Sequence, residues 1–371
     1  MLKRSFVKRP DYLLLLPMIG LLVIGIVMLI STSSIVGSTM YNDSYFFIRK
    51  QLVFVAIGSI VCFMGMTVPY HYYKKYSLQG YLIALFLLVL TLIPGVGKWV
   101  GGASRWLNLG WVSIQPVEIM KFFIVVSMAG FLANKGQHLN GLRQGIFAVI
   151  CLVLLPLLIL FLQPDLGNLG LVLMVIAALL LVSPVPFKHL LVVGSSSISI
   201  IFVSVMSRPY QQERILAFLN PDQDPTGRNY HMIQSLIAIG SGGIWGQGLG
   251  EGKLKYSYLP LQYSDFIFSI ICEEGGLILA TVILILFGMI MVRGLKIARS
   301  ASTLFGFYLA VGLMLILVLQ ALLNIGVTIG MLPVTGIPLT FISFGGTSLV
   351  MSMFCIGVLL NISRYALNDN E

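Results

Sequence analysis

Apolar stretches close to the roughly 20 residues that cross a bilayer recur along the whole chain. Charged residues are concentrated in the polar connections between them, so the pattern predicts membrane-spanning helices. We identify ten predicted spans, at residues 12–31, 50–68, 78–94, 114–133, 143–162, 167–183, 187–206, 265–291, 304–331 and 345–362. The predicted fold is all-α: a polytopic membrane protein of about ten transmembrane helices.

The connections are short except for one at residues 207–264, between the seventh and eighth predicted spans. No connection accommodates a separate soluble domain, so residues 1–371 are predicted to form a single integral membrane domain. The composition agrees, because only 10% of residues are charged, whereas a soluble domain carries about 25%. The apolar run from Tyr12 to Ile30 exceeds the roughly 7–15 residues of a signal-peptide core, so the first span is expected to stay uncleaved.

Lysine and arginine in short loops predict the orientation of the spans. Most of the 23 basic residues fall in one set of loops, which also contains both termini, and this set is assigned to the cytoplasm. The long connection and most acidic residues then lie outside, so any active site is predicted to face outward. Neither the four cysteines nor the four histidines have the spacing of a metal site or a disulfide framework.

The long connection has internal order. Its residues Met232, Ile233, Leu236 and Ile237 have the spacing of a short helix lying in the membrane interface. The glycine-rich stretch GSGGIWGQGLGEG at 240–252 follows, but without the strand and helix that a dinucleotide fingerprint requires. Two interpretations stay open: a loop whose backbone approaches an anionic head group, or a hinge.

Ionisable residues within spans are costly, which makes each a candidate for function. Glu118 and Lys121, spaced i,i+3, lie on one face of the fourth span. They are equally compatible with an ion pair that joins helices. Asp165, in the turn QPDLG between two spans, is a second candidate. It is equally compatible with a helix cap.

The stretch YSDFIFSIICEEGG places Asp265 at the start of the eighth span, beneath the long connection, with Ser264 as a possible cap. Glu273 and Glu274 lie about 80° and 180° around the helix from Asp265, so the three cannot line one cavity. At least one glutamate is therefore expected to bond to a neighbouring helix. Asp265 is the candidate general base, because partial burial raises the pKa of a carboxyl group towards the working pH. The helix dipole lowers the same pKa, and the sequence leaves open which effect is larger.

Basic residues near the same membrane surface are candidates for holding a pyrophosphate, for which arginine is the natural bidentate partner. Each is also compatible with a role as an interfacial anchor. The candidates are Arg105, Arg208, Arg214, Lys253 and Lys255.

Six stretches, in this order and spacing, resemble the SEDS family of bacterial cell-wall polymerases. They are GGASRWLNLGWVSIQPVEIMK, QPDLG, YQQERILAFLNPDQDP, IQSLIAIGSGGIWGQGLG, SDFIFSIICEEGG and LPVTGIPLTFISFGGTSLV. The resemblance runs from about Asp11 to Arg364. The last stretch and the ending LLNISR are more similar to the division-type members, called FtsW, than to the elongation-type members, called RodA.

The resemblance implies a ten-span glycosyltransferase that joins lipid II units into glycan strands outside the bacterial cytoplasmic membrane. It implies that Asp265 is the essential residue and that Arg105 belongs to the substrate region. Glu118, Lys121 and Asp165 would line a central cavity, and the turn containing Ser343, Gly345 and Gly346 is similar to the family's S-Y-G-G-S-S motif. A divalent cation, Mn²⁺ or Mg²⁺, is a further candidate for offsetting the charge of the pyrophosphate.

The chain departs from the family just before Asp265. The family pattern L-P-E-x-H-T-D has an acid and a histidine where this chain has Leu261 and Tyr263. This difference puts pKa tuning, acceptor orientation and any metal contact in doubt. It favours one alternative function, a division or elongation scaffold whose transferase activity has weakened. A second alternative is a flippase for the lipid-linked precursor, since the intramembrane Glu118 and Lys121 would suit a polar path through the bundle.

The expected partners follow from the same resemblance. They are lipid II, the growing glycan strand, a class B penicillin-binding protein that crosslinks the strands, and other division or elongation proteins. No nucleic-acid partner is predicted.

Overall fold

The computed structural model describes residues 8–100, 103–108, 110, 113–135, 142–219, 229–252 and 265–366. These residues form thirteen α-helices, a short 3-10 helix at Tyr12–Leu14 and one small sheet. The helices are α1 Leu15–Tyr41, α2 Phe46–Thr67, α3 His71–Lys75, α4 Ser77–Leu90, α5 Pro116–Lys135, α6 Leu142–Leu162, α7 Leu166–Val182, α8 Phe187–Met206, α9 Pro209–Leu219, α10 Tyr230–Gly242, α11 Ile267–Arg299, α12 Leu304–Thr328 and α13 Gly346–Arg364. The strands are β1 Gly97–Val100, β2 Ala103–Asn108 and β3 Ser113–Ile114.

The predicted all-α membrane fold is confirmed. Within the described part of the chain, six helices are long and apolar enough to cross a bilayer, or seven if the bent pair Leu191–Met206 and Pro209–Leu219 forms one span. Three shorter apolar helices, Ser77–Leu90, Val149–Leu162 and Leu166–Val182, also coincide with predicted spans. The count of ten stays a prediction.

Several predicted boundaries are wrong; the eighth span, for example, was expected to end at residue 291, but α11 continues to Arg299. The first span was expected to end at residue 31, but α1 continues to Tyr41, because a helix can extend beyond the apolar stretch that predicts it. The buried Ser33 hydroxyl donates to Leu29 O within this continuation. The eighth span was expected to begin at Asp265, but α11 begins at Ile267 and Asp265 lies in the turn before it. Ser264 lies outside the described residues.

The small sheet was not predicted. β2 pairs antiparallel with both β1 and β3 and forms its central strand. The side chain of Ser104, on β2, donates to Thr91 O just beyond α4 at 2.7 Å. The sheet is therefore fixed to the bundle at the end where α4 finishes and α5 begins.

Helix α12 lies at the centre of the bundle and packs against α5, α7, α11 and α13. Helix α2 packs along α13 at glycines, as is usual for helices that approach closely in a membrane. A side chain at Gly65 would lie 3.1 Å from the ring of Phe354, and Gly58 similarly faces Met353. Small residues thus allow α2 and α13 to approach closely.

Both ends of the described chain meet at one end of the bundle, which we call the terminal end. The N–H of Lys8 donates to Arg364 O at 2.9 Å, and the N–H of Asp11 donates to the Ser363 hydroxyl at 3.0 Å. Helices α5, α7, α11 and α13 all begin at the opposite end, which we call the loop end.

The α12–α13 connection, residues 329–345, folds back into the bundle from the loop end, and we call it the re-entrant loop. The Thr340 hydroxyl donates to Leu317 O at 3.1 Å, about 16 Å below the end of α12 by helix rise. A side chain at Gly25 of α1 would lie 2.8 Å from the Cα of Ile342. Irregular backbone at this depth is tolerated only because it is buried in protein and hydrogen-bonded there.

Candidate active site

Asp265 and Arg105 face the same point of the re-entrant loop. A Cβ on Gly336 would lie 3.8 Å from Asp265 Oδ2 and 3.7 Å from Arg105 Nη1. Gly336 has φ +74°, a conformation that glycine adopts without strain. A side chain there would separate the carboxylate from the guanidinium, so glycine leaves space in which both can face one ligand.

Arg105 projects from β2 towards the turn between α6 and α7. Its Nη2 donates to Pro164 O at 2.6 Å, and its Nε lies 3.7 Å from Asp165 Oδ2. The Nε is buried and makes no hydrogen bond in the described part of the protein. The guanidinium is thus oriented by two groups, and its Nη1, which faces Gly336, is the donor placed for an anionic ligand.

Asp165 caps α7, which agrees with one of the two interpretations given for it, that of a helix cap. Its carboxylate accepts from the N–H of Asn168 at 3.2 Å and from Asn168 Nδ2 at 2.9 Å. It is almost fully buried, and Arg105 supplies the opposite charge. Asp165 is therefore both a cap and the partner that orients Arg105. Its predicted contact with substrate stays a prediction.

Two further predicted cations lie at the same end. Arg208 donates to Leu162 O at 3.1 Å, and Arg214 donates to Val334 O at 3.1 Å. Arg214 also lies over the Tyr210 ring, 4.6 Å from its centroid. The structure thus brings three of the five predicted cations to the α6–α7 turn and the re-entrant loop. Lys253 and Lys255 lie outside the described residues.

Asn324 and Gln320 are functional candidates that were not predicted from the sequence. Asn324 Nδ2 donates to the carbonyl oxygens of Asp265 and Ile337, both at 2.8 Å, so one amide joins the start of α11 to the re-entrant loop. Gln320, one turn earlier on α12, donates to Pro338 O at 3.2 Å. Two amides spaced i,i+4 in the apolar span 304–328 were the available signal, because polar side chains in a span require partners.

Asn324→Ala is expected to lower the free energy of unfolding by about 1–3 kcal/mol, because the buried Ile337 carbonyl and the half-buried Asp265 carbonyl lose this donor. It is also expected to reduce activity through displacement of Asp265. Urea or detergent unfolding and a rate assay check the two effects. Asn324→Gln is the control for polarity, because it keeps the amide group on a longer side chain. If both variants lose equal stability and activity, the position of the amide matters as well as its presence.

Glu118 and Lys121 form the ion pair that one of their two interpretations required. Lys121 Nζ lies 2.8 Å from Glu118 Oε1 and donates to Gln320 Oε1, also at 2.8 Å. Both charged residues are almost fully buried. Because Gln320 also holds Pro338, the pair is connected to the re-entrant loop. Contact of Glu118 and Lys121 with substrate stays a prediction.

The predicted residues Ser343, Gly345 and Gly346 shape the end of the re-entrant loop. The Ser343 hydroxyl accepts from the N–H of Leu339 at 2.8 Å, and Gly345 precedes α13 as its N-cap. A side chain on Gly346 would overlap the ring of Phe54. Their predicted contact with substrate stays a prediction.

Glu274 bears out the expectation that one glutamate of α11 bonds to a neighbouring helix. Ser31 of α1 donates its hydroxyl to Glu274 Oε1 at 2.6 Å. Both Glu273 and Glu274 are almost fully buried. They lie well inside α11, whereas Asp265 lies before its first turn.

An apolar groove runs between α6 and α8 on the outer surface of the bundle, near the loop end. Its volume is about 280 Å³. The groove ends close to Leu162, whose carbonyl accepts from Arg208. It is lined by Leu154, Leu157, Leu158, Phe161, Ser199, Ile200 and Val203. An apolar surface therefore lies beside the end of α6 that accepts the hydrogen bond of Arg208.

Comparison with known proteins covers nearly the whole chain. The family model FtsW/RodA/SpoVE, described as "Cell cycle protein", matches residues 12–368. Stage V sporulation protein E of Bacillus subtilis is 40% identical over 357 residues, 96% of this chain and 98% of the relative. A probable peptidoglycan glycosyltransferase FtsW of Geobacter sulfurreducens is 39% identical over 360 residues, 96% of each chain.

Two solved structures share the fold. A chain of a peptidoglycan synthase complex, studied for the coordination of polymerization and crosslinking, superimposes with a TM-score of 0.78 at 28% identity, covering 97% of this chain and 99% of its own. The rod shape determining protein RodA of Thermus thermophilus superimposes with a TM-score of 0.71 at 25% identity, covering 97% and 98%. Together with the family model and the curated relatives, these likenesses show that the chain belongs to the SEDS family, the FtsW/RodA/SpoVE family of cell cycle proteins.

Proposed function

We propose that this multi-pass bacterial membrane protein is a peptidoglycan glycosyltransferase that polymerises lipid II and acts in the wall synthesis of cell division. The observation that carries the proposal is the placement of Asp265 Oδ2 and Arg105 Nη1 around Gly336. A carboxylate and a guanidinium facing one space are what a proton abstraction beside a departing pyrophosphate requires. Relatives named as probable peptidoglycan glycosyltransferases support the same activity.

In the proposed reaction, the C4 hydroxyl of the acceptor sugar attacks C1 of the growing chain's reducing-end sugar, with inversion at C1. Asp265 takes the hydroxyl proton as the new C–O bond forms. The bond from C1 to the polyprenyl pyrophosphate breaks, and the leaving group departs with that electron pair. Arg105, Arg208 and Arg214 are placed to offset its charge, and the α6–α8 groove suits its apolar tail.

A divalent cation is a further candidate for the pyrophosphate site. No cluster of three or more histidine, cysteine or acidic residues occurs in the described ranges, which omit 253–264. Mg²⁺ is commonly held by one or two carboxylates together with substrate phosphates. Asp265 is the carboxylate that would hold such an ion beside the arginines, and the ion would supply further charge neutralisation.

The proposed orientation places the loop end outside the cytoplasmic membrane and the terminal end in the cytoplasm. Basic residues at the terminal end, among them Lys296, Arg299 and Arg364 in the last turns of α11 and α13, support it. The proposed partner is a class B penicillin-binding protein with transpeptidase activity. Its support is the structural likeness to a chain of a peptidoglycan synthase complex.

Purified protein, alone and with its transpeptidase, is expected to convert labelled lipid II into glycan strands in proteoliposomes containing Mg²⁺ or Mn²⁺. Gel electrophoresis of the product measures polymer length and rate. Transfer of lipid II between leaflets without polymer would support the flippase alternative. If neither polymer nor transfer is detected in any of these conditions, the result would favour a scaffold.

A further inference from the structure

Helix α11 is broken at Gly276, where φ is +64° and ψ is −166°. In a continuous α-helix the N–H groups of Leu277 and Ile278 would donate to the carbonyls of Glu273 and Glu274, four residues earlier. The break removes both bonds within an apolar span. Four backbone groups therefore need other partners, because unpaired backbone is costly there.

The glycine-rich segment at 243–248 supplies all four partners. Leu277 donates to Gly243 O at 3.0 Å and Ile278 to Ile244 O at 3.3 Å. In the other direction, Glu273 O accepts from Gln247 at 2.9 Å and Glu274 O from Gly248 at 3.1 Å. The segment thus replaces the missing hydrogen bonds of α11.

Glycine is what permits this contact. Gly243, Gly246 and Gly248 have positive φ, and a side chain on Gly246 would overlap Glu274 O. The two earlier interpretations of the stretch, a contact with a head group or a hinge, did not include packing against α11. In the described residues its backbone packs against the broken helix.

The side chain of Glu274 hydrogen-bonds to the glycine-rich segment and to α1. One carboxylate accepts from the Ser31 hydroxyl of α1 at 2.6 Å and from the N–H of Gly250 at 3.0 Å. A buried carboxylate with these two donors joins α1, α11 and the glycine-rich segment at one point. We call this arrangement the Glu274 clamp.

The part of α11 before the break, residues 267–275, connects the clamp to Asp265. It is about 14 Å long by helix rise, so a small rotation at the clamp displaces its far end. Ser269 in this half-helix hydrogen-bonds to Ser235 of α10, and α10 leads directly into the glycine-rich segment. The half-helix, α10 and the segment are therefore positioned together.

We propose that Glu274 is a positioning residue: through Ser31 and Gly250 it seats the glycine-rich segment in the break of α11 and thereby places Asp265. This inference rests on the proposed function, because the activity it supports is the polymerisation assigned to Asp265. The positioning role needs the hydrogen-bonding capacity of residue 274 and not its negative charge.

Glu274→Gln and Glu274→Met separate these properties. Glutamine can accept from Gly250 through its oxygen and donate to Ser31 through its amide, so kcat is expected to stay within about threefold of the wild type. Methionine has similar length but no comparable acceptor, and we expect kcat to fall by up to about 100-fold with little change in KM. Methionine also removes the acceptor for the Gly250 N–H, which is expected to destabilise the fold, so the melting temperature of the variant is measured beside its rate.

Ser31→Ala removes one donor of the clamp and is expected to lower kcat several-fold. Ser33→Ala is its matched control, because the buried Ser33 hydroxyl donates only to Leu29 O of its own helix at 2.6 Å. We expect Ser33→Ala to keep the wild-type rate. Equal losses in the two serine variants would overturn the proposal.

Hydrogen–deuterium exchange measures the clamp without using activity. In Glu274→Met, faster exchange is expected at Gln247, Gly248, Leu277 and Ile278, with α12 and α13 unchanged. Unchanged exchange there, or a Glu274→Gln variant as impaired as Glu274→Met, would overturn the positioning role. Failure of the proposed function would give a different result: an Asp265→Asn variant that polymerises lipid II at the wild-type rate. That outcome does not depend on the exchange measurement.

Discussion

Purified Asp265→Asn protein is expected to polymerise lipid II about 10²–10⁴-fold more slowly than the wild type, the usual contribution of a general base. Asparagine has almost the same shape but cannot take the proton of the attacking hydroxyl. The backbone carbonyl of residue 265 still accepts from Asn324, so the start of α11 should keep its position. Initial rates of glycan formation at saturating lipid II measure the effect.

Asp11→Asn is the matched control for Asp265→Asn. Asp11 lies at the terminal end, where its carboxylate is 3.7 Å from Arg293, so the same chemical change is made far from the proposed site. We expect it to leave the rate unchanged. A wild-type rate for Asp265→Asn, in protein with an unaltered melting temperature, would exclude Asp265 as the base.

Lys121→Met is expected to have the largest effect on stability, a loss of about 3–5 kcal/mol in the free energy of unfolding. The substitution leaves the Glu118 carboxylate buried without its positive partner and removes the donor to Gln320. Gln320 holds Pro338 of the re-entrant loop, so local disorder should extend to that loop. Unfolding in mixed detergent micelles measures the free energy.

The double variant Glu118→Gln with Lys121→Met tests whether the loss comes from an uncompensated charge. A neutral glutamine can hydrogen-bond to Gln320, so we expect the double variant to recover most of the stability. If it is no more stable than Lys121→Met alone, the uncompensated carboxylate is not the cause. The activity of the recovered protein then tests the predicted contact of Glu118 and Lys121 with substrate.

Much of the candidate site could be identified from the sequence because charge is conspicuous in apolar surroundings. Asp165, Glu118 and Lys121 stand out in predicted spans, and each proved to be buried and paired. Their partners were harder to identify, since Arg105 lies 60 residues before Asp165 in the chain and no local pattern relates them.

Uncharged polar residues were overlooked for the opposite reason. Asn324 and Gln320 resemble ordinary amides in a helix, and their importance follows only from the carbonyls of Asp265, Ile337 and Pro338 that lie beside them. The glycine-rich stretch was ambiguous for a similar reason. Positive φ angles at its glycines became meaningful once the break at Gly276 was known.

Hydrophobic periodicity and span length were sufficient to predict a helical membrane bundle, because the bilayer imposes both on any chain that crosses it. Folding back of residues 329–345 into that bundle and the break in α11 required the three-dimensional arrangement. Both depend on contacts between distant segments, such as Thr340 with Leu317 and Gly243 with Leu277. Local propensity does not predict those contacts, because in each of them a backbone or side-chain group is hydrogen-bonded by a partner that only tertiary packing brings near.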